Sequence, residues 1–209
     1  KMAVTITIHP ETPQERNIKK AVEMIRAGGC AVLPTDSGYA LACTLENKDA
    51  RERILSIRNI DRYHNFTLLC ADLSELSLYA RVDNAVFRLL KNNTPGPYTF
   101  ILKATKEVPR KLMNERRKTI GLRVPGNPIM QALLQELGEP LMSVSLILPG
   151  RDVAESDPYE IDQEIGNRVD LLVDGGNLAE TPTTVVGFTE DGTPDIMREG
   201  AGDPTPFLS

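Results

Sequence analysis

The stretch C-A-V-L-P-T-D-S-G-Y-A-L-A-C, Cys30–Cys43, decides the fold. Cys30, Ala31, Val32 and Leu33 form the short apolar run of a buried strand. Pro34 has no N–H to give to a ladder, so the strand is expected to stop there. Thr35, Asp36, Ser37 and Gly38 follow, three short polar side chains and a flexible hinge. Tyr39 and a second apolar run, Ala40–Cys43, come next. A buried strand that breaks into hydroxyls and a carboxylate puts donors and acceptors at a sheet's end, where open α/β sheets hold ligands. The same residues also suit a tight strand–strand turn in which they satisfy their own backbone.

Outward from this stretch, helical and strand patterns alternate irregularly. Upstream, Ile6–His9 reads as an edge strand, and Thr12-Pro13-Gln14-Glu15 as a capping box with Pro at the first helical position. Ile18, Ala21, Val22 and Ile25 form one face of the following helix, which Gly28-Gly29 ends. Downstream, Asn47 or Asp49 caps a helix over Ala50–Ile57, Asp72 caps a short one through Tyr79, and Asp83 caps another. Phe66–Cys70, Thr99–Leu102, Thr119–Val124, Leu141–Leu148, Val169–Val173, Thr183–Gly187 and Ile196–Met197 read as strands. Asn127-Pro128 and Asp157-Pro158 open helices. Ser143 and Ser145 share one face of their strand, because side chains alternate with period two. No repeat or low-complexity linker divides the chain. The expectation is a single α/β domain over residues 1–209, with a twisted mixed sheet, parallel and antiparallel, and flanking helices.

The chain has 209 residues, 41% of them apolar and 25% charged, enough for a full core. No apolar run approaches the ~20 residues of a membrane span. Lys1–Pro10 lacks the apolar core of a signal peptide, so the expected location is the cytoplasm, without membrane association. Cys30, Cys43 and Cys70 sit in apolar runs and read as small core residues. His9 and His64 are the only histidines, which argues against a histidine-built metal site; no protein-held metal is expected. A monomer or weak dimer is expected. The net charge of −5 hides a basic belt: Lys91–Arg123 holds nine Lys/Arg against two Glu. A positive belt on an acidic chain points to a polyanion, nucleotide phosphates or RNA, or else to a solvated basic surface.

The chain has no phosphate-binding G-x-x-x-x-G-K-[ST], no G-x-G-x-x-G and no G-x-S-x-G. It does repeat strand ends that carry a hydroxyl or an arginine: Ser37, Thr119 with Arg123, Ser143 with Ser145, Thr183 with Thr184. Arg58 and Arg198 lie at other element boundaries. Hydroxyls and guanidinium forks suit an anion with many oxygens. Such a site works by positioning and charge stabilisation, which is most of what nucleotidyl transfer needs.

Five segments resemble, in order, the motifs of the threonylcarbamoyl-AMP synthase (YrdC/YciO) family. Pro34-Thr35-Asp36-Ser37-Gly38-Tyr39-Ala40-Leu41 resembles P-T-[DE]-T-x-Y-G-L. Pro95-Gly96-Pro97-Tyr98-Thr99 is similar to P-G-P-L-T, and Thr119–Pro125 to T-x-x-x-R-x-P. Asp174-Gly175-Gly176 with Thr183-Thr184-Val185-Val186 is similar to D-G-G…S-T-V, and Arg198-Glu199-Gly200 to R-x-G. The resemblance implies the YrdC-like fold and a reaction: ATP, L-threonine and bicarbonate give threonylcarbamoyl-AMP and pyrophosphate, for tRNA adenosine modification. It implies ATP contacts at Arg58, Asn65, Thr119, Ser145, Ser156 and Arg198, with Arg58 in the catalytic role. It implies threonine contacts at Ser37, Cys70, Arg123, Ser143 and Thr183. ATP is a substrate, and Mg²⁺ is expected to accompany it. Some members bind double-stranded RNA through a basic face, and Lys103–Lys118 could serve double-stranded RNA or tRNA here.

The departures from the pattern match the YciO branch. The family's K-x-R reads Ser56-Ile57-Arg58, its N-P-L-I-V-H ends at Cys70, and its S-A-N reads Ser145-Leu146-Ile147. Two extra residues stand between Arg58 and Asn65. Losing one ammonium from a phosphate site costs on the order of 100-fold or more in rate. A basic residue such as Lys91, Lys103 or one of Arg110–Lys118 is a candidate replacement. Two alternatives stand beside a synthase of lowered activity. One is a nucleotide- or double-stranded-RNA-binding homologue without the chemistry. The other is a related ATP-dependent ligation on another carboxylate.

Overall fold

The computed structural model describes residues 1–208. Ten strands form one mixed sheet in the order β1-β8-β2-β3-β7-β4-β6-β5-β9-β10. In chain order these are β1 (Val4–Thr7), β2 (Ala31–Thr35), β3 (Gly38–Cys43), β4 (Thr67–Leu69), β5 (Tyr98–Lys103), β6 (Thr119–Arg123), β7 (Leu141–Ser145), β8 (Leu171–Asp174), β9 (Thr184–Phe188) and β10 (Pro194–Arg198). The helices are α1 (Glu15–Arg26), α2 (Lys48–Arg58), α3 (Leu73–Tyr79), α4 (Asn84–Lys91), α5 (Pro128–Leu137) and α6 (Pro158–Ile165). Parallel pairs such as β4/β6 and β5/β9 alternate with antiparallel ones such as β3/β7 and β5/β6.

Alternation along the strands builds two unequal faces. One side carries Val32, Tyr39, Leu41, Leu68, Phe100, Leu122, Met142 and Val144. With Ile54 and Ile57 of α2, Leu76 of α3 and Ile161 of α6 they form the larger core. The other side has a smaller core at the β1-β8-β2 end, where α1 and α5 cover Ala31, Leu33 and Val173. Beyond α5 that side turns polar. By register it presents Ser143 and Ser145 of β7, Thr67 of β4, Thr119, Gly121 and Arg123 of β6, and Thr99 of β5. This hydroxyl-lined trough is a sheet face without a helix's apolar side to meet it.

Local sequence explains most boundaries. Asn47, Asp72, Asp83, Asn127 and Asp157 cap their helices through side-chain oxygens, as expected. Thr12 does not cap α1. Gln14 is the N-cap and makes no capping bond; its Oε1 accepts from His9 N instead, and Thr12 Oγ1 meets His9 Nδ1. The first strand runs two residues earlier than Ile6–His9, because its partner β8 ends at Asp174 opposite Thr7. The strand expected over Leu141–Leu148 ends at Ser145. Nor does β2 stop at Pro34. Pro34 lies opposite Tyr39, whose own N–H points away from β2 to Glu155 O. In such a non-hydrogen-bonded pair the missing N–H is not needed. All three cysteines are free and buried, and burial pushes the Cys30 and Cys43 thiols up to about 12. Among the described residues, no helix is long and apolar enough to cross a membrane.

Candidate active site

The β2–β3 hairpin closes on two residues, Asp36 and Ser37, and its polar tip divides its work. Thr35 serves the turn: its Oγ1 donates to Gly38 O at 2.6 Å and accepts from Ser37 N at 3.0 Å. Asp36 and Ser37 serve something else. Arg123 Nη2 donates to Asp36 Oδ1 at 2.8 Å and to Ser37 Oγ at 2.9 Å, and Asp36 Oδ2 accepts from Gly126 N at 2.7 Å. Gly38 permits the tip's close packing. Its φ is +91°, and a Cβ there would stand 2.7 Å from Ala154 Cβ.

Arg123 is 4% exposed, a cation sunk into the trough. Burial lowers its pKa, Asp36 opposes this, and the nearby charge of Arg198 lowers it further. Arg198 reaches the same end of the trough through Thr183 and Thr99. Its Nε and Nη2 donate to Thr183 O at 3.0 and 2.8 Å, and Nη2 also reaches Thr183 Oγ1 at 3.0 Å. Thr183 Oγ1 lies 2.7 Å from Thr99 Oγ1. Two guanidinium groups and the one carboxylate bonded to Arg123 leave a net positive charge. Such a centre is electrostatically favourable for a further anion. Among the described residues, the buried side-chain nitrogens without a hydrogen-bond partner are Arg123 Nε and Arg58 Nε. A buried N–H without a partner costs about 1–3 kcal/mol, which an incoming oxygen recovers.

Arg58 closes α2 and reaches the strand end opposite Arg123. Its Nη1 donates to Ser145 O at 2.7 Å, which ties it to the trough through β7. Ser143 Oγ donates to Thr67 O at 3.2 Å between the two ends. Thr119 lies four residues along β6 from Arg123, about 13 Å at the rise of a strand.

The structure thus brings Ser37, Arg123, Thr183 and Arg198 together and sets Ser143, Ser145 and Thr119 along the same trough, with Arg58 at the end of β7. Of the other expected residues, Cys70 and Asn65 lie elsewhere, and Ser156 follows Glu155, whose carbonyl accepts from Tyr39 N beside the hairpin tip. Cys70 is fully buried in the larger core, because Leu68 and Cys70 share the side opposite Thr67 and Leu69. Ser156 turns to Glu180, with Oγ 3.1 Å from Oε1. Asn65 is exposed on the 59–66 loop and lines a separate cavity with Arg110, Lys111 and Arg116 of the basic belt. Ser56, where the family pattern has lysine, accepts from Arg168 Nη2 at 3.1 Å. Residues unforeseen in this role are Thr67, Thr99 and Gly121. Thr99 ends P-G-P-Y-T, but its partnership with Thr183 depends on the β5/β9 pairing. Lys103 stands opposite Thr119, on the trough side by alternation.

The model of the Sua5/YciO/YrdC family, described as "Telomere recombination", matches residues 23–200. The chain belongs to this family. Over 201 residues it is 61% identical to YciO of Escherichia coli K12, covering 96% of this chain and 97% of that protein. The crystal structure of E. coli YciO matches with a TM-score of 0.94 at 60% identity, over 99% of this chain and 100% of that one. More distantly, the threonylcarbamoyl-AMP synthase of Nitrosococcus oceani is 31% identical over 159 residues, 76% of this chain and 85% of that enzyme. P. abyssi Sua5 complexed with L-threonine has the same fold, with a TM-score of 0.85 at 23% identity over 95% of this chain and 58% of that one. The YrdC-like fold of the Sua5/YciO/YrdC family therefore accounts for the ten-stranded sheet and its polar trough.

Proposed function

We propose that the trough joins ATP, L-threonine and bicarbonate into threonylcarbamoyl-AMP and pyrophosphate. The observation that carries this reading is the buried Arg123, held by Asp36 and Ser37 beside Arg198, with its Nε–H unmatched. In this reading Arg123 forks onto the amino acid's carboxylate, near Ser37, Ser143 and Thr183. Arg198 and Arg58 neutralise the triphosphate, with Ser145 and Thr119 along its course. Threonine's amine attacks the bicarbonate carbon, and a water leaves to give the N-carboxylate. One of its oxygens attacks the α-phosphorus, the α–β bridging bond breaks, and pyrophosphate carries off the electron pair. The attacking group belongs to the substrate, so the protein supplies position and charge. Both oxygens of Asp36 are engaged, by Arg123 and Gly126 N–H. Mg²⁺ therefore enters with the triphosphate as MgATP.

Lys103 takes the part of the ammonium missing at Ser56. It is exposed, its Nζ donates to Arg117 O at 2.8 Å, and it neighbours Thr119 across β5/β6. The test is pyrophosphate release dependent on threonine and bicarbonate. Arg58→Ala and Arg123→Ala are expected to abolish it, and Lys103→Ala to lower it about 100-fold. Full turnover in Arg123→Ala overturns the reading.

A second reading, a ligation on another carboxylate, is favoured by the fate of Cys70. Its side chain is withdrawn into the core, which alters the wall that would select the amino acid's side chain. A thermal-shift screen of amino acids with and without MgATP separates the two, since a ligand bound only to the folded state raises the Tm.

A further inference from the structure

The strongest concentration of unpaired positive charge is outside the trough. A cavity of about 480 Å³ lies between α2, the 59–66 loop and the 110–116 segment. Its cations are Lys48, Arg51, Arg62, Arg110, Lys111 and Arg116. None of the six makes a salt bridge within 4.0 Å, and the acidic residues at the wall, Glu52 and Glu115, do not cancel them. The floor is apolar, with Leu55, buried Phe66 and Met113. At the rim Tyr63 is 60% exposed, and the Arg62 guanidinium carbon stands 4.8 Å from its ring centroid, so an aromatic plane already carries a cation. Of the residues assigned above to ATP or threonine, only Asn65 touches this cavity, and Arg110, Lys111 and Arg116 belong to the basic stretch Lys103–Lys118. The loop that supplies Arg62, Tyr63 and His64 is the one lengthened by two residues against the family pattern.

We propose that this cavity is a second site, specific for a nucleoside phosphate unit. Its volume suits one nucleotide. Tyr63 offers a stacking face for a base, and Arg110, Lys111 and Arg116 offer the charge a phosphate needs. An apolar floor under a cationic rim favours a ligand with a flat apolar part and an anionic part over a bare anion. The unit is supplied either by a free nucleotide or by single-stranded RNA, and the experiment distinguishes them. The proposal is independent of the reaction assigned to the trough.

The test measures binding of AMP, pyrophosphate and a mixed-sequence single-stranded RNA decamer to the full chain by titration calorimetry at several salt concentrations. The Arg110→Ala/Lys111→Ala variant is expected to bind the nucleoside phosphates at least tenfold more weakly. With RNA its salt slope should fall by about 1.4, two phosphate contacts for a single strand. Tyr63→Ala is expected to weaken AMP and RNA about tenfold and leave pyrophosphate unchanged, because only stacking is removed. Decamer binding far tighter than AMP identifies a strand as the source, and equal binding identifies a free nucleotide; both carry the proposal. Binding unchanged in Arg110→Ala/Lys111→Ala overturns it. So does a single isotherm lost equally in Arg123→Ala, which would assign all binding to the trough. The arginine–lysine pair is exposed, so the variant folds, and its threonine-dependent pyrophosphate release reports separately on the trough.

Discussion

Arg123 and Asp36, 87 positions apart in sequence, meet at 2.8 Å at the tip of the β2–β3 hairpin. The bond fixes the guanidinium in a trough that also holds Arg198, while Arg123 Nε keeps a hydrogen to give. The hairpin's sequence thus matters through a residue it cannot be seen to touch in one dimension.

Asp36→Asn removes the charge from this bond and leaves its shape. An uncompensated buried cation costs about 3–5 kcal/mol, here discounted to about 2–3 because the Asp36 side chain is 17% exposed. The free variant should therefore melt several degrees below wild type. Pyrophosphate should restore more of its Tm than it adds to wild type, since an anion then relieves the unpaired guanidinium. Differential scanning fluorimetry checks this, and an unchanged Tm in the free variant would show that Asp36 does not hold Arg123's charge.

Gly121 keeps the trough's floor open. A Cβ there would lie 3.0 Å from Thr67 Oγ1 and 3.4 Å from Thr99 Cγ2. Gly121→Val should cut the thermal shift from MgATP and threonine to near zero while costing the free chain about 1–3 kcal/mol, the range for overpacking. Gly121→Ala, smaller by two methyls, should keep part of the shift. Equal shifts in all three proteins would place ligand binding elsewhere.

The fold was largely legible because its signals are local. Caps at Asn47, Asp72, Asp83, Asn127 and Asp157 and the apolar runs marked most elements. The site was legible in part. Period two put Ser143 and Ser145 on one side, and the motif matches named Ser37, Arg123, Thr183 and Arg198. What stayed hidden depends on register between distant strands: that Lys103 stands beside Thr119, and that Cys70 faces the core. Pro34 misled because its effect depends on which side of the strand its missing N–H faces.

Tyr39 secures the Asp174-Gly175-Gly176 segment from beneath. Its hydroxyl accepts from Gly175 N at 3.0 Å and donates to Gly176 O at 2.7 Å. Tyr39→Phe leaves the buried Gly175 N–H unmatched and takes the hydroxyl from the carbonyl of exposed Gly176. The expected loss is about 1–3 kcal/mol in urea unfolding, with an unchanged m-value because the fold is kept. A loss under about 0.5 kcal/mol would mean the segment relaxes to water without cost.

His64 gives the basic cavity a pH dependence with a definite sign. Burial and the charge of Arg58 pull its pKa below the ordinary 6.5, against the opposing pull of Asp61. The folded chain therefore holds the imidazole neutral where the unfolded chain takes up a proton. Its contribution to stability is complete above about pH 6.5 and is lost as the pH falls through the lower folded value. Wild type should lose more Tm than His64→Gln between pH 7.5 and pH 5. Because His64 lines the cavity, a bound phosphate favours the imidazolium, so saturating AMP should narrow the gap between the two proteins at pH 5. Parallel Tm curves for the two proteins in the absence of ligand would show that the ring titrates as it does in the unfolded chain. A gap that AMP leaves untouched would separate His64 from the anion.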